Sequence, residues 1–155
     1  MSRALVFGFM LSATGALASD AVPKLNCPTS THQFGNPQEG ISCRKPDPTN
    51  GRGIAHGPYA SFYPNGQKSS EGQFVDGFRS GSWTFYSDDG QVRSRIEFQG
   101  GNYHGKREEF FPNGKLRIVE MYVAGKLNGL VKEFSEDGQL VRQAEFRDNR
   151  EVASK

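Results

Sequence analysis

Four glycines, Gly57, Gly81, Gly105 and Gly129, stand 24 residues apart, and Gly66, Gly90, Gly114 and Gly138 keep the same interval. A fixed period of this length limits the fold severely. It marks a small supersecondary unit written several times and stacked, each copy resting on its neighbours. Full units begin at residues 57, 81, 105 and 129, and Gly53-Ile54-Ala55-His56-Gly57 reads as a partial unit ahead of the first. The repeats therefore occupy residues 53–152, followed by a polar tail, residues 153–155.

Within a unit, count the opening glycine as position 0. Position 5 is aromatic in every copy (Phe62, Tyr86, Phe110, Phe134), and so is position 17 (Phe74, Phe98, Tyr122, Phe146). Between them lies a turn, as in Tyr63-Pro64-Asn65-Gly66 and Phe111-Pro112-Asn113-Gly114. Proline presets the second turn residue, Asn or Asp suits the third, and glycine takes the left-handed conformation of a three-residue hairpin loop with a bulge. Each unit is thus a β-hairpin. If Tyr63, before Pro64, pairs with Gln67, after Gly66, position 5 faces position 11, and position 17 lies on the same buried face. That face would unite Tyr86 with Val92, Ile96 and Phe98, Phe110 with Leu116, Ile118 and Tyr122, and Phe134 with Leu140, Ala144 and Phe146. A lone hairpin is marginal, so stability must come from stacking the four. The links, such as Gly101-Asn102-Tyr103-His104-Gly105, permit tight reversals, and Asn149 replaces the expected glycine in the last copy.

The ends carry different information. Arg3, the apolar run Ala4 to Leu17 and the small-x-small Ala16-Leu17-Ala18 form a signal peptide over residues 1–18. The run is short of the roughly 20 residues of a membrane span. The expected location is exported, periplasmic or secreted. Residues 19–52 form an N-terminal segment that holds both cysteines, Cys27 and Cys43, and in an exported chain one disulfide is the simplest use of the pair. Of 19 Lys and Arg residues only Arg3 lies in the leader, against 17 Asp and Glu, so the mature chain is near neutral and nucleic acid is not an expected partner.

The elements Phe110-Phe111-Pro112-Asn113-Gly114-Lys115 and Gly101-Asn102-Tyr103-His104-Gly105 resemble the MORN-repeat family in its bacterial variant form. The resemblance covers residue 53 to about residue 150. It implies an all-β fold, an elongated antiparallel sheet of stacked hairpins with a shallow groove, and a role as a protein-interaction or scaffold module with disputed phospholipid binding. It brings no catalytic residues. Some bacterial relatives are described as antitoxin components. An intracellular toxin would have to be met in the cytoplasm, so an exported chain fits only an immunity-type version of that role.

Candidate contact residues follow from the second sheet face, which is mostly polar. In the third unit Val119, Met121 and Val123 fall there, with Phe111 and Val131 close by. They form either a partner-binding apolar patch or a surface covered by residues 19–52 or the chain terminus, the second being slightly favoured. Arg93, Arg95, Arg107 and Arg117 are expected on the same face as a basic stripe, suited to acidic protein loops or phosphate head groups unless Glu97, Glu109 and Glu133 pair with them. Trp83 is a further candidate contact. His56 and His104 recur at one repeat position, which ties them to turn architecture. No catalytic, cofactor-binding or metal-ligating residue is assigned, and neither a phosphate loop nor a dinucleotide fingerprint is present. The expectation is an exported, non-enzymatic module that binds a protein, with weak membrane-surface contact and self-association through open sheet edges as alternatives.

Overall fold

A computed structural model of the protein describes residues 22–152; the expected signal peptide and the polar tail lie outside the described residues. The strands are β1 (His32–Asn36), β2 (Gly40–Lys45), β3 (Ile54–Phe62), β4 (Lys68–Val75), β5 (Phe78–Tyr86), β6 (Val92–Gln99), β7 (Asn102–Phe110), β8 (Leu116–Val123), β9 (Lys126–Leu127), β10 (Gly129–Phe134), β11 (Leu140–Arg147) and β12 (Arg150–Val152). They form one antiparallel sheet in chain order, with the short β9 set aside as a second partner of β8. Among the described residues there is no helix. The fold is the all-β sheet of successive hairpins that the period implies.

The turns form as their chemistry dictates. The Tyr63 N–H donates to the Gln67 carbonyl at 2.8 Å, the Gly66 N–H donates to the Tyr63 carbonyl at 2.9 Å, and Gly66 has φ 85°. Phe62 then faces Lys68, and its counterparts face Val92, Leu116 and Leu140. One step farther from the turn the register slips. Ser61 faces Ser70, Phe85 faces Ser94, Glu109 faces Ile118, and Glu133 faces Arg142. The unmatched residue is position 12 of each unit: Ser69, Arg93, Arg117 and Val141.

A one-residue bulge exchanges the faces of everything beyond it. The expected buried column is therefore corrected. Phe62, Tyr86, Phe110 and Phe134 are only half-buried and point to the face opposite Ile96 and Phe98. The core is built on positions 2, 15 and 17 instead, with Trp83, Ile96 and Phe98 at 0%, 7% and 6% exposure. Tyr59, Phe74, Phe85 and Tyr103 pack around them. We call this side the aromatic face.

Trp83 is its centre. Its indole N–H donates to the Gln73 carbonyl at 3.1 Å, and its ring lies directly over Gly72, where an added Cβ would sit 2.3 Å from the indole. Edge-to-face contacts continue from Phe74 at 5.1 Å and Phe98 at 6.1 Å to Tyr103 and Tyr122. Such ring pairs add about 0.5–1.5 kcal/mol each beyond the area they bury.

The links are two-residue turns with both residues left-handed: Asp76-Gly77, Gly100-Gly101, Ala124-Gly125 and Asp148-Asn149. This is the reversal whose twist matches that of the flanking strands. Successive links are laced together, the N–H groups of Gly77, Gly101, Gly125 and Asn149 donating to the carbonyls of Ala55, Arg79, Tyr103 and Leu127. His56 and His104 serve the same seam, their Nδ1 atoms each accepting a backbone N–H at 3.3 Å, from Asp76 and Ala124.

Ahead of the repeats, β1 and β2 form one more hairpin that pairs with β3. Cys27 and Cys43 form the expected disulfide, with Cα atoms 5.4 Å apart. It ties the chain before β1 down onto Ile41 and Cys43, both fully buried, and the loop it closes is long enough to contribute about 3 kcal/mol. The segment thus extends one end of the sheet and does not cover the third repeat.

Two changes check this account. Trp83→Ala is expected to destabilise by about 3–5 kcal/mol and Phe110→Ala by less than half as much, read by denaturant unfolding. Ala124 has φ 49°, a conformation that costs an L-residue roughly 1–2 kcal/mol. Ala124→Gly should therefore stabilise by about 0.5–1 kcal/mol after glycine's greater entropy loss, a gain visible as a higher unfolding midpoint.

Candidate functional site

The bulge at position 12 determines where the arginines go. Arg93 and Arg117 occupy it in the second and third units, and both line a groove of about 510 Å³ on the aromatic face, together with Arg79, Phe85, Tyr103 and Glu109. Arg79 comes from position 22, at the start of β5, and its guanidinium lies 4.6 Å above the Trp83 ring and 5.5 Å from that of Phe98. Neither Arg79 nor Arg93 has a carboxylate within salt-bridge distance among the described residues. Arg117 reaches Glu109 only at 3.6 Å.

Arg107 behaves differently. It takes the position of Trp83 in the next unit, where it bonds Glu120 on the facing strand and Glu109 on its own. Burial works against its charge, but the Glu120 and Glu109 carboxylates outweigh that and hold its pKa above the ordinary arginine value. Its Nε is buried without a partner. The side chain is neutralised in place.

The expected four-arginine stripe is therefore corrected. Arg93 and Arg117 face the groove, Arg107 lies paired between the strands, and Arg95 projects from the opposite face, 5.2 Å from the Phe110 ring. Trp83 and Val131, expected as surface contacts, are core residues at 0% and 4% exposure. The alternation error that misplaced the aromatic columns misplaced these side chains too.

The third-repeat patch is partly retained. Met121 and Val123 are exposed on the opposite face, joined by Leu130 from β10, while Val119 is half-buried in the same strand. Phe111 belongs elsewhere. It sits in the turn and lines a recess with Pro112, Val92, Arg93 and Arg117. Arg79 and Leu130 escaped the sequence reading. The available signal for Arg79 was its alignment with Tyr103 and Leu127, a column that otherwise packs inward.

A model of the family described as "MORN repeat variant" matches residues 55–76, 79–99, 103–124 and 127–148. The chain belongs to this family. Its four matched MORN repeats coincide with the hairpins that carry the groove and the apolar strip. No curated protein matches the sequence. Among solved structures, the glycosylation-associated protein (Gap123) complex of Streptococcus agalactiae is similar at 17% identity and TM-score 0.40, over 71% of this chain. The TarM G117R mutant of S. aureus, in complex with Fondaparinux, alpha-GlcNAc-glycerol and UDP, is similar at 14% identity and TM-score 0.36, over 79% of this chain. The MORN chain spans about a fifth of each, 20% and 21% of their lengths.

On the face away from the Trp83 core, adjacent repeats are joined by a titratable pair. The Tyr86 hydroxyl donates to the Glu71 carboxylate, which also binds Lys68 at 2.5 Å. Burial and then the carboxylate push the phenol up to about 12. Burial opposes ionisation of Glu71, but Lys68 and Tyr86 prevail and hold it below the usual carboxylate range. The phenol's contribution to stability is therefore full below about pH 10, the free tyrosine value, and is lost as pH rises through about 12. Glu71 contributes above the ordinary glutamate pKa and its share is lost as pH falls through the depressed one. Tyr86→Phe should remove one phenolate absorbance step near pH 12 and flatten the alkaline limb of the unfolding profile.

Proposed function

We propose that the protein is an exported, non-catalytic repeat module that holds a protein partner against its sheet surface. The observation that carries this reading is the strip of Met121, Val123 and Leu130, which are 38%, 50% and 37% exposed on the face away from the aromatic core. Apolar side chains grouped on a rigid sheet favour association with a complementary protein surface. The disulfide is compatible with export, since such bonds persist in oxidising compartments, and the apolar leader with Ala16-Leu17-Ala18 supports the same address. The use of His56 and His104 as backbone acceptors favours structural roles for them over acid–base chemistry.

An immunity-type neutraliser is a special case of this reading in which the partner is a periplasmic or secreted toxin. Peripheral binding to an anionic membrane is the weaker alternative, because Arg107 is already paired with Glu109 and Glu120 and Arg95 lies on the other face. Self-association would use the free edges at β1 and β12.

A photoreactive residue placed at Met121 tests the reading, with the same residue at Asn65 in an exposed turn as control. One protein is expected to crosslink from Met121, to be absent from Asn65, and to be lost at least tenfold on Val123→Asp with folding intact. Equal labelling from both sites would defeat it.

A further inference from the structure

We propose that the groove on the aromatic face is a binding site for an acidic peptide segment, recognised through Arg79, Arg93 and Arg117. The inference rests on the reading of the protein as a protein-binding module and names the chemistry of what is bound. It concerns the face away from Met121, so the two can fail separately.

The argument begins with Arg79. A guanidinium can offer its flat face to an aromatic ring while the N–H groups around its edge stay free for two parallel bonds to an oxyanion. Arg79 has its guanidinium carbon 4.6 Å over the Trp83 ring and 5.9 Å from that of Phe85, in an exposed position and with no carboxylate partner among the described residues. The stacking fixes the long side chain before any ligand arrives, which reduces the entropy lost on binding.

Charge supports the same conclusion. Glu109 is the one carboxylate in the groove lining, and it is already bonded by Arg107, whose second partner is Glu120. Taken together, Arg79, Arg93, Arg107 and Arg117 face Glu109 and Glu120, leaving the groove with an excess of two positive charges. Several cations elsewhere in the sheet are paired, including Lys45 with Asp76, Lys68 with Glu71 and Arg142 with Glu133 and Glu151. The bulge at position 12 aims Arg93 and Arg117 onto this face, a common use of bulges beside binding sites.

The spread of the arginines selects among anions. They come from β5, β6 and β8, so at about 4.8 Å per strand the outer two strands lie roughly 14 Å apart across the sheet, and the offset of Arg79 along β5 adds to that. A single phosphate cannot bridge that interval. An extended acidic peptide of about five residues or more spans it, with carboxylates spaced along its length to meet the separate guanidinium groups.

Trp83 is the only tryptophan in the chain and lies directly beneath Arg79, so its fluorescence reports on the site. The experiment titrates the full chain with a glutamate hexapeptide. A saturable change in emission is expected that weakens as salt rises. Arg79→Gln and Arg93→Gln should each weaken binding at least tenfold, Arg79→Lys should do so with the positive charge retained, and Arg147→Gln, away from the groove, should leave it unchanged. Arg93 does not stack over the Trp83 ring, so its variant separates loss of binding from loss of packing. The proposal is overturned by an unsaturable or absent response, by equal loss in Arg147→Gln, or by a response to inorganic pyrophosphate at lower concentration than to peptide. A stronger response to phosphatidylserine vesicles than to the peptide also overturns it. If the peptide fails while crosslinking from Met121 persists, the groove assignment falls and the module reading stands.

Discussion

The unpaired residue at position 12 of each unit governs the rest of the sheet. By inserting one residue beyond each turn, it rotates the outer part of every second strand by half a pleat. Positions 13, 15 and 17 then join positions 2 and 4, and Trp83 comes to lie between Ile96, Phe98 and Phe74. Without the insertion, Trp83 would face solvent and the aromatic columns would lie on one side with little to cover them. The same displacement carries Arg93 and Arg117 into the groove. Core and candidate site are two results of one backbone irregularity.

The hairpins, their turns and the disulfide were legible because each is written in local chemistry. Gly66 must be left-handed, Pro64 presets the turn, and a lone pair of cysteines has an obvious use. The choice of face was not legible, because Ser69, Arg93, Arg117 and Val141 share no property that announces a bulge. Indirect clues exist. Tyr59 and Trp83 recur at position 2, and Gly72, at position 15, lies directly under the Trp83 ring. Arg79 was hidden for another reason: its column, shared with Tyr103 and Leu127, points inward, but the ring beneath it is a tertiary relation.

The two faces differ in what they offer. One presents guanidinium groups above a packed aromatic floor, the other an apolar strip flanked by paired charges such as Lys106 with Glu108. A single-layer sheet can keep both available, since neither is needed to bury the other. A globular domain of similar size would have used one of them as its interior.

The run of aromatic rings also divides the molecule along its length. Ring contacts run without interruption from Tyr59 through Trp83 and Phe98 to Tyr122, and among the described residues no ring pair continues beyond it. The fourth unit joins the third through backbone pairing and links, with Val131 and Ala144 as small core residues in place of rings. In a quasi-one-dimensional array a weak interface sets a boundary between cooperative segments. The C-terminal hairpins are thus a separable opening unit, able to fray in native-state hydrogen exchange while the tryptophan-centred half stays closed. The strip containing Met121, Val123 and Leu130 lies across that boundary, so an occupant bound there would also hold the two segments together.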